Sequence, residues 1–434
     1  MKIAVVGAGY VGLVTASCFA DIGHRVTSID NDKSKIALLK KGKPHFYEPG
    51  LDDLVKKNVK AGRLAFTSDI EAGVRDAEVV FIAVGTPPRE NGDADLSQVE
   101  NVARTVAKTI TSYKLIIEKS TVPVQTGERI RETIARAVRK KAPFDVASNP
   151  EFLREGSAIR DFLHPDRIVV GTDSARARKI LRELYKGIQG PLIFTDLKSA
   201  EIIKHASNSF LAMKISFINA IARVCELAGA DVGEVAEGIG LDKRIGRSFL
   251  SAGIGFGGFC FPKDLAAFIR ISEKLGYDFE LLKAVEKVNA DQRRFFLKKI
   301  EEALWNVSGK TIAVWGLSFK PNTDDMRYAP SIDILSALAE QGARIRAYDP
   351  KAMEKARAAL PGKITYAKSA YAAARGADCL VILTEWEEFK KVSLKKLKSA
   401  LASPLVIDGR NLFDPAVMAA AGFRYISVGR KATQ

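Results

Sequence analysis

The first thirty residues constrain the fold most. Lys2-Ile-Ala-Val-Val6 is a short apolar run of the kind that forms a buried parallel strand. Gly7-Ala-Gly9-Tyr-Val-Gly12 follows, then an apolar helical stretch to Ile22 and a Gly23-His24 stop. Arg25-Val-Thr-Ser-Ile29 reads as the next strand, closed by Asp30. Strand, glycine turn, helix, strand and acid come in the register of a dinucleotide-binding βαβ unit. The first glycine makes the turn, the second lets a pyrophosphate approach the backbone, and the third lets helix and strand pack closely. The helix N-terminus offers amide donors to the phosphates. Asp30, 23 residues after Gly7, stands where a carboxylate takes a ribose 2′-hydroxyl. It would repel a 2′-phosphate, so the expected cofactor is NAD rather than NADP.

The α/β alternation continues. Strands are expected at Ala77–Val84, ending in Gly85-Thr86-Pro87, at Lys114–Glu118, ending in Ser120-Thr121, and at Asp145–Ser148, ending in Asn149-Pro150-Glu151. Arg167–Gly171 and Leu192–Thr195 read as further strands. Ligands of open parallel sheets bind beyond the carboxyl ends of the strands. Thr86, Ser120, Thr121, Glu151 and Glu155 are therefore candidates to meet cofactor or substrate. The alternative is that they only cap helices.

From about Asp196 to Ala230 no turn signal occurs, and Ile202, Ala206, Phe210, Met213, Phe217, Ala220, Ile221 and Val224 recur at helical spacing. Such a helix would be roughly 50 Å long. A helix of that length bridges domains and can carry a dimer interface. Lys204 and Asn208 share one face. The pair can hold a substrate hydroxyl and stabilise an alkoxide, or it can be a solvated lysine beside a locally satisfied amide. Gly253-Ile-Gly-Phe-Gly-Gly-Phe-Cys-Phe-Pro-Lys-Asp264 follows, with glycines at 253, 255, 257 and 258. Glycine lets backbone press close to a ligand. Lys263 and Asp264, three and four residues after Cys260, could favour its thiolate and move protons. Cys18, Cys225 and Cys379 lie in apolar elements; Cys260 alone is expected in a polar loop. The spacing of the four suggests no zinc site or disulfide framework, and no metal is expected.

Helices are expected over about Leu265–Leu275 and Leu281–Trp305, and then the N-terminal pattern repeats. Thr311-Ile-Ala-Val-Trp-Gly316 parallels Lys2–Gly7, Tyr348-Asp349 parallels Ile29-Asp30, and Gly376–Thr384 parallels Asp76–Val84. The second copy has Leu-Ser-Phe-Lys320 where the first has its further glycines, so its natural guest is a nucleotide other than a dinucleotide. Lys320, Arg327 and Arg410 lie just beyond strands, placed for phosphates or carboxylates. The expected fold class is α/β, two Rossmann-like parallel-sheet domains joined by a long central helix. The boundaries are 1–196 for the NAD-binding domain, 197–307 for the helical domain with the cysteine segment, and 308–434 for the second nucleotide domain.

Composition narrows the partners. The net charge of +16 invites nucleic acid. The basic residues, however, spread over expected helix faces, such as Arg131, Arg136, Arg139, Lys140 and Lys141, and no basic tail occurs. Nucleic-acid binding is not expected; the same positive field suits a nucleotide diphosphate. No apolar run reaches the ~18 residues of a membrane span, so no membrane association is expected. No signal-peptide pattern precedes the first strand, which makes the cytoplasm the default. An NAD fold with a candidate thiolate points to oxidation of an alcohol to an acid. A thiol becomes useful when an aldehyde must be oxidised again, through a thiohemiacetal and a thioester that water hydrolyses.

These stretches together resemble the UDP-glucose/GDP-mannose dehydrogenase family across nearly the whole chain. The carriers are Gly7–Gly12, Gly85-Thr-Pro87, Lys119-Ser-Thr-Val-Pro123, Asn149-Pro-Glu-Phe-Leu-Arg-Glu-Gly156, Arg244-Ile-Gly246, Gly255–Asp264, Leu317-Ser-Phe-Lys320 and Asp408-Gly-Arg410. The resemblance implies that UDP-glucose, two NAD and water give UDP-glucuronate and two NADH, and that 308–434 binds the UDP-sugar. It implies Cys260 as nucleophile, Lys204 as oxyanion stabiliser, Asn208 and Asp264 on a water, Glu151 in acid/base work and Thr121 holding a water. For the cofactor it implies Gly7, Gly9, Tyr10, Val11, Gly12, Asp30, Lys35, Thr86, Ser120, Thr121, Glu155, Lys263 and Arg327. For the substrate it implies Glu151, Phe152, Leu153, Lys204, Asn208, Phe249, Phe256, Gly257, Phe319, Lys320 and Arg410. Arg244 would reach substrate in a neighbouring subunit of a homodimer or larger homo-oligomer. Phe259 departs from the family, which commonly has serine before the cysteine. The alternatives are the same chemistry on GDP-mannose or a UDP-N-acetylhexosamine, a one-step NAD-dependent 3-hydroxyacid dehydrogenase, and a basic nucleotide- or nucleic-acid-binding protein without catalysis.

Overall fold

A computed structural model describes residues 1–89, 93–138, 142–360 and 362–433. Arg139, Lys140, Lys141 and Gln434 lie outside the described residues. The chain forms two compact units, residues 1–207 with 266–277, and residues 208–265 with 278–434.

The first unit holds β1 (Lys2–Val6), β2 (Arg25–Ile29), β3 (Leu64–Thr67), β4 (Val79–Ile82), β5 (Lys114–Glu118), β6 (Phe144–Ser148), β7 (Ile168–Gly171) and β8 (Leu192–Thr195). They pair in the order β3-β2-β1-β4-β5-β6-β7-β8. The pairs are parallel except the single antiparallel step Ser148 to Gly171 between β6 and β7. The strands are continuous apolar runs because helices cover both faces of the sheet. Leu13, Phe19 and Phe81 pack on one face; Val80, Val102 and Ile130 pack on the other. Strand order reverses between β1 and β4, which opens the ligand crevice at their carboxyl ends.

The second unit repeats this plan with β9 (Thr311–Trp315), β10 (Arg344–Tyr348), β11 (Ile364–Tyr366), β12 (Cys379–Ile382), β13 (Leu405–Asp408) and β14 (Arg424–Ile426). All pair in parallel, in the order β11-β10-β9-β12-β13-β14. The internal repeat is therefore topological as well as sequential. One atomic detail is conserved between the copies. The acid after the second strand of each accepts a backbone N–H from the turn after the first. Asp30 takes Ala8 N at 2.9 Å, and Asp349 takes Leu317 N at 2.7 Å. Asp349 also takes Ser318 N and the Trp386 indole and is fully buried, which leaves it no ribose to meet.

The long helix spans Leu197–Ala228 and stops at Gly229, whose φ of 77° suits a left-handed cap. Lys204 belongs to the first unit and Asn208 to the second. The expected loop around Cys260 is different: the helix begins at Cys260 and runs to Lys274. The reason is Pro262 in its first turn, a position where proline's missing N–H costs nothing. Cys18, Cys225 and Cys379 are buried, while Cys260 is half-buried. No described helix is long and apolar enough to cross a membrane.

Candidate active site

In the first unit the glycine turn has the shape a dinucleotide needs. A Cβ on Gly7 would stand 2.3 Å from Ala83 O, and one on Gly12 would stand 1.8 Å from Gly7 O. A Cβ on Gly9 would meet nothing within 4 Å. The first and third glycines are thus demanded by the protein, and the second faces open space, as a bound pyrophosphate requires. Asp30, nearly buried, also pairs with Lys35 Nζ at 2.9 Å. These residues fit NAD.

Beyond β5 and β6 a buried polar cluster forms. Lys204 Nζ lies 3.0 Å from Glu151 Oε1, with both side chains 4% exposed. Glu151 Oε2 accepts from Leu153 N at 2.6 Å. The Phe152 ring packs beneath Lys204 Nζ at 5.5 Å and the Arg167 guanidinium at 3.8 Å. Thr86 Oγ1 donates to Thr121 O at 2.9 Å, and Ser120 Oγ to Val84 O at 2.8 Å. Threonine and serine therefore tie the ends of β4 and β5 together, while the Thr121 hydroxyl stays half-buried. Tyr10, Val11, Leu153 and Glu155 are half-buried on the same unit.

Three titratable groups of this unit stand out. Burial pushes Glu118 up to about 8 against the opposing hydrogen bonds from Ser120, and the Glu201 charge adds to the rise. Burial pushes Glu201 up to about 7 although it accepts Gly127 N and Gln125 N at 2.8 and 2.7 Å. Burial lowers Lys119 to about 8; Glu151 opposes this and Lys204 reinforces it. Lys119 Nζ donates to Asn149 Oδ1 at 3.0 Å, and Tyr185 Oη donates to the same oxygen at 2.5 Å. Asn149 Nδ2 donates to Val169 O. This network props up the corner from which Glu151 projects.

In the second unit Cys260 opens its helix, where the positive end of the helix dipole favours a thiolate. Asp264, one turn on and fully buried, accepts from Asn208 Nδ2 at 2.6 Å and pairs with Lys263 Nζ at 2.6 Å. The Phe259 ring has Arg327 Cζ 4.4 Å and Lys263 Nζ 5.6 Å from its centroid, and Arg327 is paired with Asp325. Phe249, with a left-handed φ of 65°, and Phe256 both pack against Phe261. Lys320 Nζ lies 5.4 Å from the Phe319 ring centroid. Arg410 is turned onto backbone: it donates to Leu383 O, Gly255 O and Phe319 O. Arg244 is 89% exposed and pairs with nearby Asp242.

The glycines of this segment serve a purpose the sequence did not reveal. Protein atoms occupy the space where their Cβ atoms would stand. A Cβ on Gly257 would stand 2.3 Å from Tyr328 O, and one on Gly258 2.7 Å from the Phe319 ring. Buried amides then fix the backbone. Asn289 exchanges two hydrogen bonds with Phe256, and Gly253 is held by Asn219 and Gln292. Asn219, Asn289 and Gln292 were missed by sequence reasoning, and Lys119 and Asn149 entered it only as parts of longer motifs. The one signal available for the first three was an amide within a helix.

Three sequence profiles match the chain. The UDP-glucose/GDP-mannose dehydrogenase family NAD binding domain covers residues 1–189, the central domain 198–291 and the UDP binding domain 313–415. The UDP-glucose 6-dehydrogenase TuaD of Bacillus subtilis is 50% identical over 433 residues, covering 100% of this chain and 94% of that protein. The UDP-glucose 6-dehydrogenase of Pseudomonas aeruginosa is 45% identical, covering 99% and 98%. Among solved structures, a UDP-glucose dehydrogenase from Pyrobaculum islandicum aligns with a TM-score of 0.92 at 41% identity, covering 99% and 98% of the two chains. A UDP-D-ManNAc dehydrogenase from Pyrococcus horikoshii aligns with a TM-score of 0.87 at 30% identity, covering 99% of each. The chain belongs to the UDP-glucose/GDP-mannose dehydrogenase family.

Proposed function

We propose that the protein oxidises UDP-glucose to UDP-glucuronate in two steps, with Cys260 carrying the acyl group between them. The observation that carries this reading is the thiol at a helix N-terminus, one turn from the buried Asp264–Asn208 and Asp264–Lys263 pairs. A one-step alcohol dehydrogenase needs no such thiol.

Glycines 7, 9 and 12 with Tyr10, Val11, Asp30, Lys35, Thr86 and Ser120 hold NAD, and Glu155, Lys263 and Arg327 serve its nicotinamide end. NAD, when bound, accepts the hydride of each oxidation. The chain's own groups do the rest. Lys204, paired with Glu151, stabilises the alkoxide of the first step and the oxyanion of the second. Asn208 and Asp264 position a water that takes the alcohol proton. The Cys260 thiolate adds to the aldehyde carbon to give a thiohemiacetal, and hydride loss from it leaves a thioester. Glu151 activates the hydrolytic water, which Thr121 helps to hold, and the thiolate leaves as the acid forms. Phe152, Leu153, Phe249, Phe256, Gly257, Phe319, Lys320 and Arg410 shape the UDP-sugar site. Arg410 does so by fixing the Gly255 and Phe319 carbonyls.

The working unit is a homodimer or larger homo-oligomer. Phe210, Phe217 and Val224 stand seven residues apart on the long helix and are each more than half exposed. Apolar side chains in such a stripe call for a second copy. Arg244, exposed beside Asp242, would then meet the partner's substrate. The boundaries at 196/197 and 307/308 separate the NAD-binding, helical and UDP-sugar-binding roles, and the cytoplasm is the proposed location.

Quantifying NADH against consumed nucleotide sugar tests the scheme. Two NADH per UDP-glucose with no free aldehyde is expected, and Cys260→Ser should abolish turnover. A ratio of one, or normal turnover by Cys260→Ala, would overturn it. The same assay with GDP-mannose and UDP-N-acetylhexosamines should yield no NADH.

A further inference from the structure

Glu48 lies in the loop between the helices Lys33–Lys40 and Leu51–Lys60 and has no role in the scheme above. It is 1% exposed, and its carboxylate accepts from a phenol and two backbone amides. Tyr10 Oη donates to Oε2 at 2.5 Å, Gly156 N to Oε2 at 2.6 Å, and Ala158 N to Oε1 at 2.8 Å. A buried carboxylate is costly unless its lone pairs are filled, so these bonds stand or fall together. Burial, then the Glu48 charge, pushes the Tyr10 phenol far above its ordinary range, and it stays a donor at any working pH. The Tyr10 ring packs on Phe46 with centroids 5.0 Å apart, which holds the phenol in place. At the other end, Ser157 makes no side-chain cap for the helix Ala158–Leu163, and Glu48 supplies the acceptor from more than a hundred residues away.

The two segments so joined are both functional. Tyr10 sits inside the glycine turn, between Gly9 and Gly12. Gly156 ends the segment that begins at Glu151 and includes Phe152 and Leu153. We propose that Glu48 is a positioning residue that couples them. A pyrophosphate that orders residues 9–12 fixes Tyr10, Tyr10 fixes Glu48, and Glu48 fixes the backbone of residues 151–158. Cofactor and nucleotide sugar then bind with positive cooperativity, and linkage makes the effect equal in both directions. The inference rests on the assignment of both ligands above.

Calorimetry with NAD and UDP-glucuronate tests it, because oxidised cofactor and oxidised sugar cannot react with each other. In the wild type, saturating UDP-glucuronate should tighten NAD at least about fivefold, the lower end of ordinary coupling. Glu48→Gln keeps the volume but turns one acceptor into a donor. Its coupling should fall to about onefold while each separate affinity changes by less than about threefold. Tyr10→Phe keeps the ring and the helix cap and removes the phenol's short bond to Glu48 together with its long one, 3.5 Å, to Arg154 O. It should lose the coupling too, and it serves if Glu48→Gln does not fold. Wild-type coupling retained in both variants, with only a lower melting temperature, would mean that Glu48 is structural and would overturn the proposal. So would a wild type without coupling. Failure of the wild type to bind UDP-glucuronate alone would remove the substrate assignment, and the coupling with it.

Discussion

Replacing Glu118 by glutamine should make the protein more stable, and only above a particular pH. Glu118 ends β5 in full burial, and its Oε1 accepts from Ser120 N at 2.6 Å while Oε2 finds no partner. Its acidity is shifted from 4.5 to about 8. A carboxyl whose folded value is raised stabilises the fold fully below the unfolded value of 4.5, and that contribution is lost as pH rises through 8. At about 1.36 kcal/mol per pH unit, the interval between 4.5 and 8 sets an upper bound of roughly 5 kcal/mol. Glutamine cannot ionise and can still accept from Ser120 N. The variant should therefore match the wild type at pH 5 and exceed it by pH 9. For a unit of roughly 200 residues that bound corresponds to about 10 °C or more in melting temperature. Differential scanning calorimetry from pH 5 to 9 reads the effect. Trp305, Trp315 and Trp386 all lie in the second unit, so tryptophan fluorescence identifies that unit's transition and assigns the other to the first. A difference between variant and wild type that stays constant across this range would refute the reasoning.

Lys119→Met should show a stability profile of opposite sign. The Lys119 ammonium is lowered from 10.5 to about 8, so its burial penalty is present below 8 and disappears as pH rises toward 10.5. The variant should gain up to roughly 3 kcal/mol at pH 7 and nothing near pH 10.5, read by the same calorimetry. Lys204→Met removes one partner of a buried pair, at a cost of about 3–5 kcal/mol. Denaturant unfolding should show that loss at pH 7, and adding Glu151→Gln should recover much of it while turnover stays lost.

What could be read from the chain, and what could not, divides along sequence distance. The strands and the dinucleotide turn follow from local apolar runs and glycine spacing, and the second sheet repeats the order of the first because its local pattern repeats. The Lys204–Asn208 spacing likewise picked out two residues that are buried, one in each unit. The start of the cysteine helix was within reach too, since proline two residues after Cys260 is a helix-start signal; the glycines beside it masked that signal. The partners of those glycines were out of reach. Gly9 and Gly257 look alike in sequence, each beside another small or aromatic residue in a loop. In the structure one faces open space and the other lies against Tyr328 O, some seventy residues on. A missing Cβ says that something comes close, but not whether it is a ligand or the protein. The same holds for Glu48, whose donors are 38, 108 and 110 residues away. A lone glutamate in a loop reads as solvated until the fold brings two backbone amides and a phenol to it. Residues that bind a ligand directly thus sit in motifs, because the ligand is presented by one turn. Residues that hold those motifs to one another carry no pattern, because each partner is set by tertiary structure alone.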